Sequence, residues 1–222
     1  MVTLHEIGQK YATDKATTHR YTMIYPIYFE KYRNESIKIL EIGVASGKSM
    51  KMWYDYFPKA IIYGIDIEEN AKQYENERVK IFTGDQGNSD FLNRVCEETG
   101  LLNIIIDDGS HFPQDQEISL RTLFPNLISG GMYAIEDINM SYLSTYLKPS
   151  WSGGYKVPGT TIEFLKTFVD SINIRFKSCF SSCVLGEHAE NNLSYFDENL
   201  FSIHFYEGLC FFIKDLNGGK AI

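Results

Sequence analysis

Long apolar runs are missing from these 222 residues. None approaches the roughly 18 residues that a membrane-spanning helix needs, so no membrane partner is predicted. Basic charge is also short: 21 Lys and Arg stand against 29 Asp and Glu, a net charge of −8. A protein that holds nucleic acid through its phosphates needs a basic footprint, and this chain lacks one. Cysteine is sparse, with only Cys96, Cys179, Cys183 and Cys210. They are too few and too scattered for a disulfide framework. Cys179 and Cys183 have no second Cys or His pair at ligand spacing, which argues against zinc. The start of the chain has no basic region followed by an apolar stretch, so it does not read as a secretory signal. Free thiols in the cytoplasm are the expectation. Internal repeats and low-complexity tracts are absent as well.

What is present is a globular composition, with 44% apolar and 14% aromatic residues, enough for one core of ordinary size. Short β-branched runs at 37–43, 60–66, 79–83, 101–109 and 131–137 read as strands buried on both faces. Helical periodicity fills the gaps, at 46–57, 68–77, 89–99 and 113–128, with Ser89 as an N-cap and Pro113 in a first turn. The alternation predicts an α/β fold built on a doubly wound, mostly parallel sheet. Residues 160–174 read as one amphipathic helix. Runs at 200–206 and 209–214, joined by Glu207-Gly208, predict a hairpin that adds a reversed strand, for seven strands in all. Residues 1–36 read as a helical, Tyr-rich N-terminal extension to a single domain over 37–222. Residues 138–158, with Pro149, Pro158 and Gly153-Gly154, read as a long loop.

Four constellations carry possible chemistry. Glu41-Ile-Gly43-Val-Ala-Ser-Gly47 lies at a strand-to-helix junction, where glycines let backbone approach a ligand. It matches neither a dinucleotide fingerprint nor a P-loop, and a plain tight turn explains it equally well. Asp66 ends the second strand, roughly 20 residues on, where an acid accepts the hydroxyls of a ribose or caps the next helix. Gly84-Asp85-Gln86 offers polar groups to an adenine edge or forms a turn. The sharpest constellation pairs Asp107-Asp108-Gly109-Ser110-His111, closing the fourth strand, with Glu136-Asp137, closing the fifth. Neighbouring strand ends crowd these carboxylates on one rim, and a hard divalent cation such as Mg²⁺ relieves the crowding. Asp108, Glu136 and Asp137 are the metal candidates, with His111 beside them. His204, within an apolar strand, reads as a satisfied core histidine, and His188 as solvated. Tyr142, Trp151 and Tyr155 would stack on a ring or pin their loop.

These motifs resemble class I S-adenosylmethionine-dependent methyltransferases, and more closely the metal-dependent sugar O-methyltransferases of the mycinamicin type. Beyond the glycine loop and Asp66, the likeness rests on Thr13-Asp14-Lys15, His19-Arg20-Tyr21-Thr22, Trp53, Tyr56-Phe57-Pro58, Asp107 to His111, Gly130-Gly131, Glu136-Asp137 and Ser141-Tyr142. It implies a Rossmann-like methyltransferase sheet. It implies S-adenosylmethionine held by Glu41, Gly43, Gly47, Ser49, Asp66, Asp85, Gln86, Asp107, Tyr21 and Thr22. It also implies Mg²⁺ on Asp108, Glu136 and Asp137, with His111 as general base and Asp108 also serving catalysis. The acceptor would be a small sugar or glycoside, from a polysaccharide, a nucleotide-sugar or a natural product. Catechol-like acceptors, or a phosphate or amine of a surface-polysaccharide precursor, are alternatives, as is a non-catalytic cofactor-binding domain. Acceptor choice is expected in residues 138–158, the Tyr-rich N-terminal segment and 186–198, with a homo-oligomer built through the N-terminal extension.

Overall fold

A computed structural model of the chain describes residues 2–143, 153–174 and 193–216. Seven strands form one sheet in the order β3-β2-β1-β4-β5-β7-β6. They are β1 (Lys38–Ile42), β2 (Ile61–Asp66), β3 (Val79–Thr83), β4 (Leu102–Asp107), β5 (Leu127–Ile135), β6 (Leu200–Tyr206) and β7 (Leu209–Lys214). The first five are parallel, as their two-sided apolar patterns predict. Strand β7 is antiparallel to β5 and to β6, so the C-terminal hairpin folds back and wedges its second strand against β5. Gly208, at φ +72, supplies the left-handed residue that the two-residue turn requires.

Register decides what reaches the rim. Ile65, Ile42, Asp107 and Ile135 lie in one row across β2, β1, β4 and β5. The next residues, Asp66, Gly43, Asp108 and Glu136, therefore emerge at one level. The pairing persists to this level: Gly43 N–H donates to Ile65 O, Asp108 N–H to Ile42 O and Glu136 N–H to Asp107 O. Alternation then sorts the side chains by face. Glu41, Asp108 and Glu136 share the face of Ile39, Ile106 and Ala134, whereas Asp107 shares that of Ile105 and Tyr133.

The N-terminal residues pack onto the first of these faces. They comprise helices α1 (Leu4–Lys10), α2 (Asp14–Thr17) and α3 (Tyr25–Phe29), with a 3-10 turn at Tyr21–Met23. Tyr25 and Phe29 are fully buried against Trp53 and Phe211, with ring centroids 4.8–6.2 Å apart. Each such ring contributes about 1.5–3 kcal/mol by burial. Helix α4 (Lys48–Tyr56) completes this layer. The opposite layer holds α5 (Ser89–Thr99), α6 (Pro113–Leu123), α7 (Thr161–Lys166), α8 (Phe168–Ile174) and α9 (Tyr195–Asn199).

Several local expectations shift. The cap of α5 is Asn88, whose side chain accepts the Phe91 N–H; Ser89 is the first helical residue. Residues 69–74 form a 3-10 turn, too polar to pack as a full helix. Helix α6 ends at Leu123 because Pro125 enforces a 3-10 turn, and β5 starts four residues before its expected first residue, at Leu127. The helix expected over 160–174 is two: at Thr167 the hydroxyl turns back to the Phe164 carbonyl and the chain bends. Cys96 and Cys210 are free thiols. Cys179, Cys183, His188, Trp151, Pro149 and the middle of the 138–158 loop lie outside the described residues, as does most of 186–198. Among the described residues no helix is long and apolar enough to cross a membrane.

Candidate active site

A cleft of about 550 Å³ opens along the rim, lined by Gly43, Asp66, Asp85, Asp108, Ser110 and Phe112 among others. A second, polar hollow of about 270 Å³ joins it at Gly43, Ala45 and Asp108. It runs between residues 12–17 and the glycine loop with the first turn of α4, at Lys48 and Ser49. Gly43 sits at φ +91 against the backbone oxygen of Asp108, and a Cβ there would overlap that oxygen. Gly47, at φ +68, lies under the Tyr74 ring. Asp66 shapes the loop directly. Its Oδ2 accepts the N–H groups of Val44 and Ala45 at 3.0 and 2.7 Å, and its Oδ1 accepts Glu68 N–H at 2.9 Å.

Four residues expected at the cofactor have partners within the protein. Gln86 donates to Asp107 Oδ1 and Ser119 Oγ and accepts Ser110 N–H, so its amide braces the end of β4. Asp107 is fully buried, takes the Tyr133 hydroxyl on Oδ2, and is pushed by burial up to about 6. Thr22 Oγ1 bonds His5 Nδ1. The Tyr21 hydroxyl donates to Asp137 Oδ1 at 2.7 Å and to Gly208 O at 3.0 Å. A fifth, Glu41, is buried beside Trp53 Nε1 and pairs with Lys15. The period-2 face rule separates Asp107 from Asp108 and marks Asp107 as belonging to the other layer.

Acids gather at two overlapping places. Asp108, His111 and Asp137 can each bring one donor atom within 4.8 Å of the others, and so can Glu41, Asp108 and Glu136. The second group already holds a cation. The Lys15 ammonium, 1% exposed, contacts Asp108 Oδ2, lies 2.8 Å from Glu136 Oε1 and 3.2 Å from Glu41 Oε1. Burial alone would lower its pKa, but the three carboxylates outweigh that and push it well above its usual value. Burial, followed by Asp108, drives Glu136 upward, and the Tyr25 hydroxyl donates to Glu136 Oε1. Lys15 was legible only as part of a motif; no local signal says that a lysine 93 residues from Asp108 is buried against it.

The first group lies on the open side. His111 Nε2 stands 3.7 Å from Asp137 Oδ2, while its Nδ1 is buried without a partner. His19 Nδ1 is 3.7 Å from Asp137 Oδ1 and its ring stacks on Tyr21, a placement that its lone position in the N-terminal segment did not announce. Both His111 (φ +59) and Asp137 (φ +54) adopt left-handed backbone, a strain of roughly 1 kcal/mol or more each that clusters at functional sites. His204, by contrast, is satisfied by the Tyr28 hydroxyl at 2.6 Å. Beyond Asp137 a largely apolar cavity of about 530 Å³ lies between Ile138, Tyr142, Ile162, Phe205 and Gly208.

No family model matches the chain. It is 32% identical over 231 aligned residues to demethylmacrocin O-methyltransferase of Streptomyces fradiae, covering 99% of this chain and 55% of that protein. It is 34% identical over 228 residues to 8-demethyl-8-(2-methoxy-alpha-L-rhamnosyl)-tetracenomycin-C 3'-O-methyltransferase of Streptomyces olivaceus, covering 99% and 55%. The solved structure of MycE, a methyltransferase of the mycinamycin pathway in complex with Mg and SAH, superimposes with a TM-score of 0.84. That match is 31% identical and covers 96% of this chain and 55% of that one. The chain thus spans about half the length of the curated relatives it matches. Across the stretch they share, the chain is a homologue of these sugar O-methyltransferases and has their S-adenosylmethionine-dependent methyltransferase fold.

Proposed function

We propose that the chain is a Mg²⁺-dependent O-methyltransferase that moves the methyl group of S-adenosylmethionine to a hydroxyl of a sugar or glycoside. The observation that carries this reading is the meeting of Asp108, His111 and Asp137 on the rim, beside a cleft bordered by the glycine loop and Asp66. A nucleoside fits the 550 Å³ cleft, with Asp66 at the ribose and Asp85 near the base, and the polar hollow beside Lys48 and Ser49 suits the amino-acid end. The donor set suits a hard cation. Glu41, Asp108 and Glu136 share a single ammonium, and Asp137 adds a fourth carboxylate near Asp108, which leaves negative charge on the Asp108–Asp137 side. Asp108 and Asp137, with Glu136 alongside, would hold Mg²⁺. That MycE was solved with Mg and SAH supports both groups.

When bound, Mg²⁺ would lower the pKa of an acceptor hydroxyl, which is otherwise a poor nucleophile at neutral pH. His111 accepts that proton at Nε2, the ring nitrogen that faces Asp137, because Nδ1 is buried. The glycine loop, held by Asp66, fixes the cofactor, so the methyl group and acceptor oxygen are aligned before reaction. The apolar cavity beyond Asp137 receives the rest of the acceptor; Ile138 follows Asp137 and its N–H donates to Gly208 O, which ties that cavity to the rim.

The test is transfer of labelled methyl from S-adenosylmethionine to a panel of sugars, glycosides and catechols, with and without excess chelator. Transfer to a glycoside that chelator abolishes, and that Asp108→Ala and His111→Ala lose while SAH still binds, is the expected result. Undiminished transfer in chelator would end the metal assignment, and transfer to catechols alone would end the sugar assignment.

A further inference from the structure

The three carboxylates proposed to hold the cation are each gripped on one oxygen by the same stretch of chain, residues 15–25. Lys15 contacts Asp108 at Oδ2. Lys15 and the Tyr25 hydroxyl both contact Glu136 at Oε1. The Tyr21 hydroxyl donates to Asp137 Oδ1, and His19 Nδ1 approaches that same oxygen. The opposite oxygens, Asp108 Oδ1, Glu136 Oε2 and Asp137 Oδ2, take no contact from this stretch. The gripping groups are themselves deeply buried: Lys15 and Tyr21 are 1% exposed and Tyr25 is 0% exposed.

Charge neutralisation accounts for Lys15 but not for the tyrosines, which bring no charge. What the three share is occupancy of a single oxygen on each acid. That has a definite consequence for a metal. Ca²⁺ takes six to eight oxygens and commonly binds a carboxylate through both of its oxygens. Mg²⁺ demands near-octahedral geometry at shorter distance and takes one oxygen per carboxylate. A carboxylate with one oxygen already spoken for can serve the second ion far better than the first. Groups that orient ligands from behind in this way are worth roughly 10–100-fold in metal affinity.

We propose that residues 15–25 form the outer layer of the cation site, and that Lys15, Tyr21 and Tyr25 make Asp108, Glu136 and Asp137 one-oxygen ligands, selecting Mg²⁺ against Ca²⁺. These three are positioning residues, and the inference rests on the reading of the three acids as metal ligands.

The experiment uses the full chain and two variants that remove only a hydroxyl, Tyr21→Phe and Tyr25→Phe, with Asp108→Ala as reference. Folding is checked by circular dichroism, and MgCl₂ and CaCl₂ are titrated separately by calorimetry. The wild type is expected to prefer Mg²⁺, and in each Tyr→Phe variant the Mg²⁺/Ca²⁺ affinity ratio is expected to fall about tenfold. A tyrosine that merely packs the core would leave that ratio alone. Lys15→Met is expected to lower it as well, and the tyrosine variants decide the matter if the lysine variant does not fold. Folded Tyr→Phe variants that keep the wild-type ratio would overturn this inference and leave the ligand assignment standing. A wild type that binds neither ion, or an Asp108→Ala variant that binds Mg²⁺ as well as wild type, would overturn the ligand assignment and this inference with it.

Discussion

Asp66→Ala separates two roles that one carboxylate plays. In the structure Asp66 accepts three backbone N–H groups, from Val44, Ala45 and Glu68. Ala45 and Glu68 are exposed, so water replaces the lost acceptor there at small cost. Val44 is buried at 2% exposure, and its N–H would be left without a partner. An unsatisfied buried donor costs roughly 1–3 kcal/mol, and the two exposed amides add a few tenths each. The expected loss is about 2 kcal/mol, a fall of about 4–8 °C in melting temperature for a chain of this size, without any cofactor present. SAH affinity, measured by calorimetry well below the melting point, should fall about tenfold or more because a ribose contact is lost as well. Asp66→Asn keeps one carbonyl oxygen and should lie between wild type and Asp66→Ala on both scales. A lowered melting temperature with unchanged SAH affinity would refute the ribose contact and keep the loop clamp. An Asp66→Ala protein equal to wild type in both would refute the whole argument.

Three further outcomes are expected. Gly43→Ala should unfold the protein or cost more than about 3 kcal/mol in denaturant titration, since the new Cβ overlaps the Asp108 backbone oxygen at a left-handed position. Gly208→Ala should displace the Tyr21 hydroxyl from Asp137, so Mg²⁺ affinity should drop by more than the loss in melting temperature explains; unchanged affinity would contradict it. Burial raises the Cys96 thiol to about 11 and Cys210 well above its usual value, which favours the neutral thiol. The reactive thiolate at pH 8 is then about one part in a thousand for Cys96, so peptide mapping after iodoacetamide treatment should find both unmodified in folded protein and modified in denaturant.

The sheet was legible because each signal was local. Five apolar runs, the Glu207-Gly208 turn and the acids at strand ends need only their own neighbours to be read. The site was legible as far as period and register reach: Asp108 and Glu136 emerge from adjacent strand ends, as the alternation requires. What lay beyond local pattern was the N-terminal layer. Thr13-Asp14-Lys15 carries a lysine that only long-range packing buries, and Tyr21 and Tyr25 look like ordinary core aromatics until their hydroxyls meet Asp137 and Glu136. The partners that Tyr21, Thr22, Gln86 and Asp107 take within the protein were not legible either, because each lies on an element distant in sequence. The break at Thr167 escaped for a related reason: an apolar stripe continues through it, and only the hydroxyl's return to Phe164 O tells the two helices apart.

The insertion of β7 between β5 and β6 also bears on synthesis. Strand β5 is made early, yet its partner on that side lies some 75 residues further along, and Ile135 pairs with Cys210. While the chain is still emerging, β5 is therefore an open edge, nine residues long and mostly apolar. The sheet closes only when the hairpin arrives, so a ribosome-stalled or truncated product lacking residues 209–214 leaves a sticky strand rather than a smaller folded protein.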